Sequence, residues 1–314
     1  MKYLYFPNGD RFPQIGLGTF QSKKNEVYDA VITALTAGYR HIDCAYVYGN
    51  EKQIGEALKY AFANNIVRRD ELFITSKLWN SFHAPEMVEQ AIRHSLNDLQ
   101  LDYLDLYLMH WAIAFRTGCD YANSPADLVP LPEMPYQTTW AAMEKLREKG
   151  LTKHIGVSNF SIKKLTNLQQ SATIAPEVNQ IEIHPYFQQN KLSDFCNDNN
   201  ILLTAYSPLG SRHLINSDND IQHNATIAQI AEKHACSATQ VILAWGITRG
   251  WAVIPKSIHQ ERIIENFAAV DVLLDDEDIN AISLIDKNLR QSVASYAIMP
   301  GGYYTYNNIF DEES

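Results

Sequence analysis

Short apolar runs alternate with longer stretches of helical periodicity along most of the chain. The apolar runs cover residues 15–17, 42–45, 72–78, 104–109, 155–157, 178–183, 202–206 and 252–254. The helical stretches between them cover 25–37, 51–63, 85–99, 136–149, 162–170, 191–199 and 225–248. Short strands separated by helices imply parallel βαβ units. Near-continuous runs such as Leu106-Tyr107-Leu108-Met109 suit a sheet covered on both faces. Repeated through eight strands, the pattern favours an α/β fold closed into a (β/α)8 barrel over an open sheet. Ahead of the first run, residues 3–6, Asn8-Gly9-Asp10 and Phe12-Pro13 read as an N-terminal β-hairpin that plugs the base of the barrel. Segments 111–135 and 207–224 exceed ordinary loop length, as does the tail 291–314, and long loops in a compact domain are usually functional.

Composition narrows the classes. The 314 residues are 46% hydrophobic and 20% charged, with no low-complexity stretch or linker, so a single barrel domain spanning 1–314 is expected. A formal net charge of −10 argues against nucleic acid or an acidic membrane as partner, since both demand a basic surface. Cys44, Cys119, Cys196 and Cys236 are scattered, without metal-ligand spacing, and fit reduced thiols of the cytoplasm. The N-terminus turns polar too soon for a signal peptide, and no apolar run reaches a membrane span.

The polar residues at the strand ends carry the chemistry, because a barrel's active site lies at the carboxyl ends of its strands. Asp43 follows the second apolar run, with Tyr48 in the next loop; Lys77 ends the third and His110 the fourth. Each alone has a bland reading, as a helix-capping carboxylate, a packed tyrosine, a solvated lysine or a core histidine. Together, on consecutive strands, they assemble a phenol, an ammonium that lowers its pKa, a carboxylate that holds the ammonium and an imidazole. Such a set suits protonation of an alkoxide developing on a carbonyl.

The sequence resembles the aldo-keto reductase family over nearly its whole length. Ala37-Gly38-Tyr39-Arg40-His41-Ile42-Asp43 with Ala45, Tyr48, Gly49, Asn50 and Glu51 matches one family signature. Ile155-Gly156-Val157-Ser158-Asn159-Phe160 matches a second, and Ile254-Pro255-Lys256-Ser257 with Arg262, Glu265 and Asn266 a third. The resemblance implies a catalytic tetrad of Asp43, Tyr48, Lys77 and His110, with Tyr48 the proton donor and hydride delivered by NADPH. It also implies that Ser158, Asn159 and Gln180 grip the nicotinamide carboxamide and that Tyr206 stacks on the ring. Thr19, Ser207, Leu209, Ser211 and Ser257 are expected along the cofactor, and Glu265 and Asn266 at its adenine. Lys256 and Arg262 favour NADP over NAD, because a 2′-phosphate attracts two cations. Gly16-Leu17-Gly18 lacks the third glycine of a dinucleotide fingerprint and reads as a tight turn after the first strand.

Some family members clasp the loop after the seventh strand with an aspartate and two lysines. Lys256 could supply one cation, but Gln21 and His213 stand at the other two places, so faster cofactor release is expected unless Asp218 or Asp220 substitutes. Phe20, Val47, Trp79, Trp111 and Phe115, with Tyr121, are expected to make an aromatic substrate mouth beside His110, and Met299, Tyr303 and Tyr304 either line it or pack on the barrel. An apolar mouth predicts broad use of aldehydes. The run from His110 to Phe115, with Ala112 where relatives often carry proline, most resembles the reductases of aldoses and sugar phosphates. A sugar-phosphate reductase, with Arg116 or Arg212 as the anion partner, and a cofactor-binding barrel recruited to a non-catalytic role are the competing readings. The chain is expected to act as a monomer or at most a weak dimer.

Overall fold

The computed structural model describes residues 1–210 and 220–311. It begins with an antiparallel hairpin of β1 (Tyr3–Tyr5) and β2 (Arg11–Pro13). After it come β3 (Leu17–Gly18), β4 (His41–Asp43), β5 (Phe73–Leu78) and β6 (Leu104–Met109). A small antiparallel ribbon of β7 (Ala114–Phe115) and β8 (Leu128–Val129) interrupts the series. The sheet then continues with β9 (Thr152–Ser158), β10 (Val178–Glu182), β11 (Leu202–Tyr206) and β12 (Ala252–Val253). Eight strands hydrogen-bond in the order β3-β4-β5-β6-β9-β10-β11-β12, every neighbour parallel. Parallel bridges from Ile15 to Val253 and from Gly18 to Lys256 join the two ends, closing the (β/α)8 barrel.

That seam explains the Gly16-Leu17-Gly18 motif, which is not a turn. Gly16 N–H donates to the Val253 carbonyl and Gly18 N–H to Pro255. A Cβ on Gly18 would lie 2.7 Å from the Ile254 carbonyl oxygen, and one on Gly16 2.6 Å from His41 Nδ1. Any side chain there would force the seam open.

The helices are α1 (Lys24–Ala37), α2 (Glu51–Ala63), α3 (Pro85–Leu99), α4 (Tyr136–Glu148), α5 (Ile162–Gln169), α6 (Asn190–Asp198), α7 (Ala225–Lys233) and α8 (Ala238–Thr248). The single stretch expected over 225–248 is thus two helices. Ala235 adopts a left-handed backbone (φ 48°), which ends the first. Ser237 then starts the second, its hydroxyl accepting from Gln240 N while Gln240 Oε1 accepts from Ser237 N. Three further helices lie beyond the barrel strands: α9 (Gln260–Phe267), α10 (Asp276–Ser283) and α11 (Tyr306–Phe310).

The main core fills the space between strands and helices, while a second one floors the barrel. Phe6 and Phe12 of the hairpin pack there against Phe73, Leu106, Leu108 and Val178. Burying each phenyl ring contributes about 1.5–3 kcal/mol. Phe6 also stacks on His154 at 3.6 Å, and His154 bridges Asp10 and Glu177 at 3.0 Å each. The tail runs back over the opposite end and is tied down three times. Glu182 accepts from the backbone of Gln291 and Ser292. Tyr304 donates to Val129 and accepts from Ala114 N, and Asp311 meets Lys164 and Ser161. Among the described residues no helix is long and apolar enough to cross a membrane, and no group of acidic, His or Cys side chains is arranged to hold a metal ion.

Candidate active site

The barrel register brings Asp43, Lys77 and His110 to one mouth. Asp43 is the last residue of β4, Lys77 pairs beside Leu108 across β5 and β6, and His110 follows β6 directly. Tyr48 ends the 3-10 turn Tyr46–Tyr48, which Gly49 closes in a left-handed conformation (φ 65°) with its N–H on the Tyr46 carbonyl. Lys77 is completely buried; its Nζ donates to Asp43 Oδ1 at 2.6 Å, to the Cys44 carbonyl at 2.8 Å and to the Tyr48 hydroxyl at 3.1 Å. The Tyr48 and His110 rings meet edge to face at 5.9 Å. All four sequence-derived candidates therefore stand together.

Burial and charge set their protonation. Burial disfavours charge on Lys77, yet Asp43 and Tyr48 outweigh it and raise the ammonium above its usual range. Burial pushes the Tyr48 phenol up to about 12, with Lys77 working against it. Lys77 alone would bring the phenol down, as its place in the sequence suggests; in the folded site desolvation wins, so Tyr48 keeps its proton at neutral pH. Burial, helped by the Lys77 charge, holds the His110 imidazole well below its ordinary value, which leaves it neutral.

A second network adjoins the first. Gln180 Nε2 donates to Asp43 Oδ2 at 2.7 Å, and the Gln180 carbonyl accepts from Ser158 Oγ at 2.8 Å. Asn159, left-handed at φ 63°, donates through Nδ2 to the His110 carbonyl and to Ser158 Oγ, both at 3.1 Å. Its Oδ1 accepts from Tyr206 OH at 2.7 Å. Strain at such a position persists only where neighbours over-determine it, and these contacts do so. Thr19 donates to the Asp43 carbonyl at 2.7 Å, and Asn50 Nδ2 reaches the Thr19 carbonyl at 2.9 Å.

The remaining cofactor candidates line the loops after β11 and β12. Ser207 is left-handed (φ 46°) and Leu209 is half-buried; Ser211 lies outside the described residues, as do Arg212, His213 and Asp218. Ser257 is buried, its hydroxyl accepting from His259 N just before α9. Arg262, Glu265 and Asn266 lie on α9, Arg262 exposed and Asn266 buried. Lys256 and Arg262 are both exposed. Asp220 is engaged within its own turn, with Gln222 N and His223 Nδ1. Gln21 is exposed.

Above the tetrad lies an aromatic cluster of Trp79, Trp111, Ile113, Phe115 and tail residues. Trp79 meets His110 at 5.2 Å and Phe115 at 5.9 Å, and the exposed Phe20 ring covers Tyr48 at 5.0 Å. Val47 packs on the same cluster. Tyr121 is 65% exposed and lies outside that cluster. From the tail, Tyr296 packs against Trp79, Trp111 and Phe115, and Phe310 meets Trp111 at 6.1 Å. Tyr304 is buried as an anchor and Tyr303 turns outward, while Met299 packs at the cluster's edge. Nothing local in the sequence marked Tyr296, whose partners lie on other strands' loops.

Comparison with known proteins agrees with this geometry. Residues 14–287 match the model of the Aldo/keto reductase family. An aldo/keto reductase of Synechocystis sp. is 45% identical over 317 residues, covering 99% of this chain and 97% of the relative. Aldose reductase B of Dictyostelium discoideum is 45% identical over 285 residues, covering 88% and 90%. The structure of the aldose reductase from Schistosoma japonicum superposes with a TM-score of 0.88 at 39% identity, covering 94% of this chain and 96% of that one. The chain belongs to the aldo/keto reductase family, oxidoreductases that act on carbonyl groups with nicotinamide cofactors.

Proposed function

We propose that this protein reduces aldehydes and ketones to alcohols with NADPH, Tyr48 giving the proton to the carbonyl oxygen. The observation that carries the reading is the wholly buried Lys77 ammonium in contact with both Asp43 and the Tyr48 hydroxyl. Tyr48 holds its proton until an alkoxide, far more basic than a phenolate, develops beside it. Lys77 then stabilises the phenolate left behind, and Asp43 with Gln180 keeps Lys77 in place. Neutral His110, packed on Tyr48 and Trp79, aims the carbonyl oxygen.

The residues present fit a nicotinamide dinucleotide. Ser158, Asn159 and Gln180 crowd amides and a hydroxyl into one corner suited to a carboxamide, with the Tyr206 ring alongside. Thr19, Ser207, Leu209, Ser211 and Ser257 would follow the chain of the cofactor, Lys256 and Arg262 would hold a 2′-phosphate, and Glu265 and Asn266 the adenine. When bound, the reduced nicotinamide supplies the hydride that adds to the carbonyl carbon.

Phe20, Val47, Trp79, Trp111 and Phe115 favour carbonyls with apolar or aromatic substituents, with aldoses as further candidates. Arg116, the described candidate for a phosphate partner, donates to the Ala126 carbonyl at 2.5 Å and belongs to the ribbon. That contact favours uncharged carbonyls over sugar phosphates. Four free cysteines suit a reducing compartment, the cytoplasm, and the barrel would work as a single domain and a monomer. The deciding experiment follows NADPH absorbance with a simple aromatic aldehyde. Turnover that falls by about 10²–10⁴ in Tyr48→Phe, with NADPH binding retained, is expected; a wild-type protein that binds NADPH without consuming it would favour a non-catalytic role.

A further inference from the structure

Within the long segment 111–135, Asp120 hydrogen-bonds to both catalytic turns. Its Oδ2 accepts from the Tyr46 hydroxyl at 3.1 Å and its Oδ1 from Ser81 Oγ at 2.8 Å. Its backbone carbonyl accepts from Trp79 Nε1 at 2.7 Å. Tyr46 begins the 3-10 turn that ends in Tyr48, and Trp79 and Ser81 flank Asn80 just beyond β5, the strand that carries Lys77. Asp120 therefore ties the acid-bearing turn and the lysine-bearing strand to the loop above them.

The bond to Trp79 matters most. Its indole is 5% exposed, so its N–H needs a protein partner. The ring stands edge-on to His110 at 5.2 Å and also touches Phe115 and Tyr296. An indole free to rotate about its side-chain torsions would change the width of the gap above His110. Both carboxylate oxygens and the carbonyl of Asp120 are engaged, which fixes the carbonyl and, through it, the indole.

We infer that Asp120 is a positioning residue that sets substrate selectivity, by locking Trp79 against His110 so that the mouth grips a flat aromatic carbonyl compound. The inference rests on the carbonyl-reductase reading above and extends it to a residue that touches neither substrate nor cofactor. The tetrad is assembled without Asp120, so the chemical step is spared when it is lost. The burial that pushes the Tyr46 phenol up to about 12, reinforced by Asp120, keeps that phenol a donor across the working pH range.

The test uses the full chain with NADPH and two substrates, benzaldehyde and propanal, in Asp120→Ala, Asp120→Asn and Ser81→Ala. For benzaldehyde, Asp120→Ala is expected to raise KM about tenfold with kcat within about twofold, while both constants for propanal and the Kd of NADPH stay within about twofold. Asp120→Asn, which keeps one acceptor oxygen, recovers part of the loss, and Ser81→Ala, which removes one bond from the other side, shows a smaller shift of the same kind. Equal losses for the two aldehydes, or a fall in kcat alone, would overturn the inference. The Trp79 indole proton, assigned in NMR spectra by its disappearance in Trp79→Phe, gives a readout that needs no turnover. It should exchange with solvent at least about tenfold faster in Asp120→Ala, and unchanged exchange would also overturn the inference. Wild-type protein that reduces no carbonyl refutes the functional reading, and the exchange rate still decides whether Asp120 holds the indole.

Discussion

Gln180 Nε2 and Lys77 Nζ share one buried carboxylate, reaching Asp43 Oδ2 at 2.7 Å and Oδ1 at 2.6 Å. The corner suited to a carboxamide is thereby linked, through a single side chain, to the ammonium that serves the acid. A hydrogen bond to a charged partner contributes about 1.5–3 kcal/mol. Gln180→Leu should therefore lower kcat/KM for aldehyde reduction by about 10–100-fold in steady-state assays. A loss confined to the KM for cofactor would mean that the bond to Asp43 is idle in catalysis.

The pH dependence follows from the raised phenol and the lowered imidazole. Reduction needs a protonated Tyr48, so its rate should be lost only as pH rises toward about 12. Alcohol oxidation needs the phenolate and should rise with pH over the same range. His110 is already neutral at neutral pH and adds no limb between about pH 6 and about pH 8. An inflection there that vanishes in His110→Gln would contradict this assignment.

Lys77→Met removes the charge that pulls the Tyr48 phenol downward, so the limb for alcohol oxidation should move to higher pH. It also leaves Asp43 as an uncompensated buried charge, which costs about 3–5 kcal/mol of stability. Chemical denaturation of the variant, compared with Tyr48→Phe, separates that cost from the catalytic one.

Arg262→Ala should weaken NADPH about 10–100-fold, the range expected for one charge-assisted contact with phosphate. NADH, which lacks the 2′-phosphate, should be affected by less than about twofold. Comparable use of NADH and NADPH by the wild type, unchanged in Arg262→Ala, would remove Lys256 and Arg262 from cofactor choice.

The junction between α7 and α8 offers a prediction on stability alone. Ser237→Ala removes a capping hydroxyl and should cost about 1 kcal/mol. Ala235→Gly relieves the left-handed backbone and should stabilise by up to about 1 kcal/mol. Thermal unfolding should move in opposite directions for the two variants, with kcat/KM unchanged in both.

Much of this architecture was legible because it is written locally. Residues 104–109 and 202–206 alternate with helical stretches, and polar residues at the ends of apolar runs fall on one face of a parallel barrel. Asp43, Lys77 and His110 could be read that way. What escaped depends on contacts made across the fold. The break at Ala235 lies inside a run whose apolar periodicity continues on both sides. Gly16 and Gly18 are required by backbone arriving from β12, far along the chain. Asp120 meets Trp79 at a separation of 41 residues, and Tyr296 reaches Asn80 across 216, so neither carries a local signature. Even the sign of the shift at Tyr48 was hidden, because spacing reveals the neighbouring charge but not the depth of burial.

The hairpin that floors the barrel has a consequence for how this enzyme can change. Phe6 and Phe12 close one end, while Asp43, Lys77 and His110 stand at the other, so the packing of the floor shares no side chain with the tetrad. Substitutions in the floor can thus alter its packing while every side chain of the tetrad keeps its partners.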